Sequence, residues 1–373
     1  MATIVEVKAR TVSVPLDNPT SFSNRKVLKR DYAVVEVVGD DGHKGIGFCY
    51  GGSNAGRLVT QAVRELLKPV LLGQDTHRVE GLWREMYQEA LLHGRAGSVM
   101  RAISIIDTAL WDRNARAANL PLYKMLGANE TESVAAYASG GYYLDGKTPA
   151  HLADEMRAHV ANGFKAVKLK VGRDSLAEEE ARLAAVREAV GPEVLVMMDA
   201  NNAWRDLPSA LAFMRMAEPY DPYWIEEPFS PDDIDNHRRL AERTPVPVAT
   251  GEIEAGRWRF KELLDKEAAM ILQTDAAVCG GITEFRRVAA TAASYGVDVF
   301  PHWFHDLHVH LVASTPNAPM VEYFADDQVL NFRRLIDTQL SCDNGRLVLP
   351  TSPGLGFDFD ADALARFAVD DWQ

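Results

Sequence analysis

Three stretches decide how this chain reads: VLVMMD at 194–199, YWIEE at 223–227 and PVATGE at 247–252. Each is a short apolar run that closes on an acid: Asp199, Glu226 and Glu252. The acids stand 27 residues apart (199 to 226) and 26 apart (226 to 252). That is close to one strand-plus-helix unit, since eight such units take about 250 residues in a barrel. Carboxylates ending successive buried strands are costly unless something positive lies between them. Three hard oxygen ligands on one point suit a divalent cation, most naturally Mg²⁺.

Working outward, the same rhythm runs from about residue 133 onward. Strands are predicted at 134–139, 166–170, 194–199, 223–226, 248–252, 269–275, 297–302 and 319–323. Helical spacing lies between them, as at 149–162 and 176–190. Eight apolar strands alternating with helices predict an α/β fold, a parallel (β/α)8-type barrel over residues 131–325. A doubly wound open sheet is the alternative. No GxGxxG follows a strand and no GxxxxGK[ST] is present, so nucleotide binding has no support; Gly45-Ile46-Gly47 lacks the third glycine.

Residues 1–130 read differently. Stretches 3–14 and 31–38 alternate as strands, and Asp40-Asp41-Gly42 turns into a third near 43–49. Helical patterns follow at 56–72, 76–92 and 97–116. This predicts an N-terminal α+β capping domain. Residues 326–373 hold a turn-rich unit and a helix near 360–368, and are expected to return to that domain.

The chain has 373 residues, 47% hydrophobic, with a net charge of −13. The negative charge argues against nucleic acid and anionic membranes as partners. No apolar run reaches the length of a membrane span, and the N-terminus has no signal-peptide core. Cys49, Cys279 and Cys342 are odd in number and form no CxxC pair, which fits reduced thiols in a cytoplasmic protein.

The catalytic face of a parallel barrel lies where its strands end. The residues there are Lys168 and Lys170, Asp199, Glu226, Glu252, Asp275, His302 and Glu322. Glu227 follows Glu226 and is expected to point the other way, although sequence leaves the choice between the two open. Asp275 and His302 end neighbouring strands, so the carboxylate is expected to fix the imidazole's tautomer and raise its pKa. Lys168 and Lys170 alternate and share one face. Beside a divalent ion and out of water, both amines are expected below their usual range, leaving Lys170 a competent base. PHWFHDLHVH at 301–310 tempts a zinc reading, but only His302 stands at a strand end. His305 alone of the others is expected near substrate.

The ordered set of a KxK strand, DAN, EEP, TGE, an Asp before CGG and a PH strand resembles the enolase superfamily, and within it the mandelate racemase subgroup. The resemblance spans nearly the whole chain. It implies Mg²⁺ on Asp199, Glu226 and Glu252, and opposed acid/base groups Lys170 and His302, the latter held by Asp275. It implies Lys168 and a protonated Glu322 on the substrate carboxylate, and Asn201 on a substrate hydroxyl. A related subgroup has Lys at the place of Asp275.

Such a site removes the proton α to a carboxylate. The favoured outcome is β-elimination of water from a sugar acid, an aldonate or aldarate, to a 2-keto-3-deoxy acid. The alternatives are a racemase or epimerase of a 2-hydroxy acid or amino-acid derivative, and a sugar-acid lactone cycloisomerase. Polar lid loops are expected at 17–31 and 50–54, suited to a polyol. A homo-oligomer is the usual expectation.

Overall fold

The computed structural model describes residues 2–23, 25–326 and 329–373. The N-terminal unit is a three-stranded antiparallel sheet of β1 (Ile4–Phe22), β2 (Arg25–Gly39) and β3 (Lys44–Tyr50). Its helices are α1 (Gly56–Gln61), α2 (Lys68–Leu71), α3 (Val79–Ala90), α4 (Gly97–Ala117) and α5 (Leu122–Met125), with a π-helical turn at Ala62–Leu67. Gly45 and Gly47, the two glycines of the incomplete motif, have a packing role. The backbone of α4 presses on β3, so a Cβ would fall 2.0 Å from the Ala109 carbonyl at Gly45 and 1.9 Å from that of Ile105 at Gly47. Gly47→Ala is therefore expected to force α4 off the sheet and cost about 3 kcal/mol or more, read as a lowered midpoint in a thermal melt.

The barrel strands are β4 (Ser133–Ser139), β5 (Ala166–Lys170), β6 (Leu195–Asp199), β7 (Pro222–Glu226), β8 (Val248–Thr250), β9 (Ile271–Leu272), β10 (Asp298–Val299) and β11 (Val321–Tyr323). Parallel ladders join β4 through β10 in order, and β11 returns to pair with β4. The crossovers are α6 (Pro149–Ala161), α7 (Leu176–Val190), α8 (Leu207–Ala217), α9 (Ile234–Ala241), α10 (Arg257–Asp265), α11 (Ala276–Cys279) with α12 (Gly281–Ser294), and α13 (His305–Ser314). Local chemistry sets their starts. Ser175 and Glu178 form a reciprocal capping box on α7, and Asp206 caps α8 through the Ser209 N–H. Strand β5 is buried along its whole length, as a barrel strand walled on both faces must be.

The structure amends four expectations. The ladders of β9 and β10 end at Leu272 and Val299, so Asp275 and His302 stand three residues beyond them. No crossover helix follows β11 directly among the described residues; a 3-10 turn, Asn331–Leu335, does, so seven crossovers close eight strands. The 17–31 segment is the far end of the β1–β2 hairpin, with a register shift between Pro15 and Thr20, and Asn24 lies outside the described residues. Its Pro19, Ser21 and Ser23 read as loop, but pairing across the hairpin satisfies the backbone. Finally, the C-terminal segment divides. The hairpin of β12 (Cys342–Asp343) and β13 (Arg346–Val348) pairs antiparallel with β4 of the barrel. Beyond it, α14 (Ala361–Arg366) leads to residues that bond the capping sheet, where the Ala9 N–H donates to the Gln373 carbonyl at 2.8 Å. No helix of the described residues is long and apolar enough to cross a membrane.

Candidate active site

Parallel register brings the charged strand ends level. Lys170 pairs with Asp199, and Asp199 with Glu226, so three neighbouring strands present their last side chains at one height. One layer below, Tyr137, Trp224 and Phe300 fill the barrel, with Trp224 edge-on to both rings at 5.6 and 5.0 Å. This apolar floor excludes water and sharpens every electrostatic interaction above it.

The acids and lysines form one network. Lys170 is bonded to Asp199. Lys168 Nζ donates to both oxygens of Glu226 at 2.9 Å, meets Glu322 Oε1 at 2.7 Å and lies 3.8 Å from Asp199. The Trp224 indole N–H reaches Glu226 Oε2 at 3.2 Å, and the Trp303 N–H donates to Glu322 Oε2 at 2.7 Å. The Asn201 N–H donates to Asp199 Oδ1 at 3.0 Å.

Burial would lower both amines, but the carboxylates outweigh it. Lys170 is held above its usual value by Asp199, and Lys168 by Glu226 and Glu322. The expectation of lowered lysines is set beside a divalent ion; the acids bonded to the amines act in the opposite direction. For Glu322, burial favours the neutral form, and Lys168 beside it brings the carboxyl down to about 2. Glu226 moves the other way, to about 8, through burial and the nearby Asp199.

Glu252 stands apart. It has no lysine or arginine ion pair among the described residues. Its Oε2 is buried without a hydrogen bond, 3.5 Å from His302 Nε2. Asp199, Glu226 and Glu252 each offer an oxygen within 4.8 Å of the others. Three converging carboxylates with one left unmatched are a donor set for a hard divalent cation.

His302 Nδ1 is 3.1 Å from Asp275 Oδ2. Burial lowers the imidazole, but Glu252 and Asp275 raise it to about 9. Burial pushes Asp275 up, and hydrogen bonding to His302 and His308 carries it well below the usual carboxylate range. Asp275 also caps α11 through the Ala277 N–H at 2.8 Å. His308, unassigned by sequence, lies 3.4 Å from Asp275 Oδ1 and accepts the Ala276 N–H at 3.1 Å.

Lys170, Asn201, Glu252, Asp275 and His302 line one cavity of ≈ 570 Å³ between barrel and capping domain. Lys168, Asp199, Glu226 and Glu322 lie under its floor and do not line it. Asn201 Oδ1 has no partner, and the residue takes φ 43°. Glu227 also lines the cavity, contrary to the expectation that it points away, because φ 42° turns the chain there into the left-handed region. The hairpin end closes over the site. Ser21 and Tyr143 exchange backbone hydrogen bonds at 3.3 and 3.1 Å, and the Ser23 hydroxyl donates to the Asn201 carbonyl at 2.8 Å. His305 does not line the cavity; it is buried against Tyr323, ring centroids 4.9 Å apart. His310 accepts the Tyr123 N–H and bonds the Leu355 carbonyl, pinning the C-terminal segment. Sequence reasoning missed Arg30 and Arg101 on the cavity wall; no motif marks either.

Residues 4–127 match the mandelate racemase / muconate lactonizing enzyme N-terminal domain, and residues 151–363 the enolase C-terminal domain-like family. Arabinonate dehydratase of Saccharolobus solfataricus is 37% identical over 336 residues, 88% of each chain. D-galactarolactone cycloisomerase of Agrobacterium fabrum is 33% identical over 385 residues, 99% of each. Among solved structures, L-talarate dehydratase from Polaromonas sp. JS666, complexed with Mg and L-glucarate, superposes with a TM-score of 0.91 at 32% identity. That match covers 100% of this chain and 99% of that one.

Proposed function

Since the chain belongs to the enolase superfamily, in its mandelate racemase subgroup, we propose that it is a Mg²⁺-dependent dehydratase of a sugar acid. The single observation that supports this most is that Lys170 and His302 line one cavity together with Glu252 of the acidic triad. Related dehydratases act on arabinonate and on talarate, and a solved relative is complexed with Mg.

Asp199, Glu226 and Glu252 would hold the ion, for which the unmatched Glu252 oxygen is suited. When bound, it supplies positive charge beside the substrate carboxylate as the α-proton leaves, and offsets the Asp199 charge that keeps Lys170 protonated. Lys168, between Glu226 and Glu322, supports that carboxylate from the floor, with Glu322 fixing the lysine. Lys170 Nζ takes the α-proton. His302, protonated at neutral pH, gives the proton on Nε2 to the β-hydroxyl; the C–O bond breaks and water leaves. The enol product tautomerises to the 2-keto-3-deoxy acid. The partnerless Oδ1 of Asn201 orients a hydroxyl.

A second reading has support in the galactarolactone cycloisomerase relative. The same α-proton transfer would then open or close a ring without loss of water.

The test is incubation with Mg²⁺ and hexaric, hexonic and pentonic acids and their lactones in D₂O. A 2-keto acid is the expected product. Deuterium at the α-carbon with no keto acid would sink the dehydratase and favour the isomerase. Absence of both keto acid and exchange with every acid would sink both.

A further inference from the structure

The two walls of the active-site cavity differ in charge. The barrel contributes Glu227, Glu252 and Asp275 together with Lys170 and His302. From the capping domain every charged lining residue is basic: Arg25, Lys26, Arg30 and Arg101. The barrel acids do not account for them. Asp199 is met by Lys170, Glu226 and Glu322 by Lys168, and Asp275 by His302.

None of the four has an ion pair among the described residues, and Arg30 and Arg101 are the two set most firmly by the fold. Arg30 is 2% exposed. Its Nε donates to the Val329 carbonyl at 3.0 Å, and its guanidinium lies over Trp303 at 4.7 Å and Tyr50 at 5.4 Å. Its Nη2 is buried with no hydrogen-bond partner. A charged donor so buried costs free energy until an acceptor meets it. Arg101 sits in the second turn of α4 and has no hydrogen bond or ion pair among the described residues. That 21-residue helix starts without a side-chain cap and without an acid in its first turn, and Gly97 and Ser98 at its start line the same cavity. A helix N-terminus carries partial positive charge, so an arginine beside an uncapped one adds to an uncompensated field that an anion would relieve.

We propose that this wall is a second anion subsite, formed by Arg30, Arg101 and the start of α4, that receives the far carboxylate of a dicarboxylic sugar acid. It rests on the dehydratase reading and narrows it: aldarates, rather than aldonates, are the substrates. One carboxylate meets the barrel floor where the α-proton is removed. The other end of the carbon chain reaches the capping wall, with Arg25 and Lys26 at the hairpin end adding attraction.

The Mg²⁺-loaded full chain is assayed on hexarates, on hexonates of matching configuration, and on 6-phosphohexonates. Wild type is expected to prefer the hexarate in kcat/KM by about tenfold or more, the worth of one charge-assisted hydrogen bond. Arg101→Gln should lower hexarate kcat/KM by about 10- to 100-fold and hexonate kcat/KM by less than about threefold. Arg101→Lys should recover part of the loss. Equal use of hexarate and hexonate by wild type, or an equal loss on both in R101Q, overturns the subsite. Preference for the 6-phosphohexonate overturns its assignment to a carboxylate. Absence of both keto acid and α-deuterium exchange with every acid is a different failure, which removes the dehydratase reading and the subsite with it.

Discussion

Replacing His302 by asparagine is expected to lower kcat by about 10³-fold or more without weakening Mg²⁺ binding, since a positioned acid–base group is worth about 10²- to 10⁴-fold. The ring is built for proton transfer. Asp275 engages Nδ1 at 3.1 Å, which leaves Nε2 toward the cavity and Glu252. Asparagine keeps a polar side chain of similar reach against Asp275 but has no proton to give near neutral pH. The three carboxylates of Asp199, Glu226 and Glu252 remain, and Glu252 loses a cation 3.5 Å away, so calorimetric titration should show Mg²⁺ binding no weaker than in wild type. A fall in metal affinity as large as the fall in kcat would make His302 a ligand-shell residue instead.

The same group gives a pH signature. Glu252 and Asp275 stabilise the imidazolium and raise the pKa to about 9 against the lowering effect of burial. An acid must be protonated to act, so kcat should hold on the acid side of that value and fall as pH rises through it. A cation on Glu252 removes part of the raising charge and moves the fall to lower pH. A profile that rises through this range would assign His302 the base role.

Most of the barrel is legible in the sequence because its strands are buried on both faces and so appear as apolar runs. The eight predicted runs overlap the eight barrel strands, and the period of two places Lys168 and Lys170 on one inner face. What escapes is set by neighbours distant along the chain. Glu322 reaches Lys168 only because β11 closes the barrel against β4, which in turn borders β5. Hence its charge state could not be read from its own strand. Glu227 escapes for a local reason: strand alternation predicts that it points away, but the strand ends at Glu226 and a left-handed residue follows. The β1–β2 hairpin end escapes because its pairing lies across the tip while its composition is that of a loop. Arg101 carries no signal at all, being one of five charged residues in a mostly buried helix; its meaning comes from where α4 begins.

Lys168→Met is expected to destabilise the protein in chelator at pH 7 by about 3–5 kcal/mol, the usual cost of stripping one partner from a buried ion pair. Lys168, 1% exposed, bonds Glu226 and Glu322, themselves 0% and 1% exposed, and Lys170 is already committed to Asp199. Methionine fills the space without the charge, so what is lost is electrostatic rather than a cavity. The pH dependence separates the two causes. In wild type Glu322 is lowered to about 2 from its usual value near 4.5, so its pairing stabilises the fold above that usual value and is lost as pH falls toward 2. In the variant burial is no longer opposed by Lys168, and the folded-state pKa of Glu322 rises above its unfolded value. Stability is then present at low pH and lost as pH rises, so the variant should gain on wild type between pH 7 and pH 5. Denaturant midpoints at the two pH values measure this, and a deficit that stays constant across them would assign Lys168 a packing role alone. Added Mg²⁺ should restore part of the loss at pH 7, because a cation on Glu226 answers one of the two acids the lysine leaves behind.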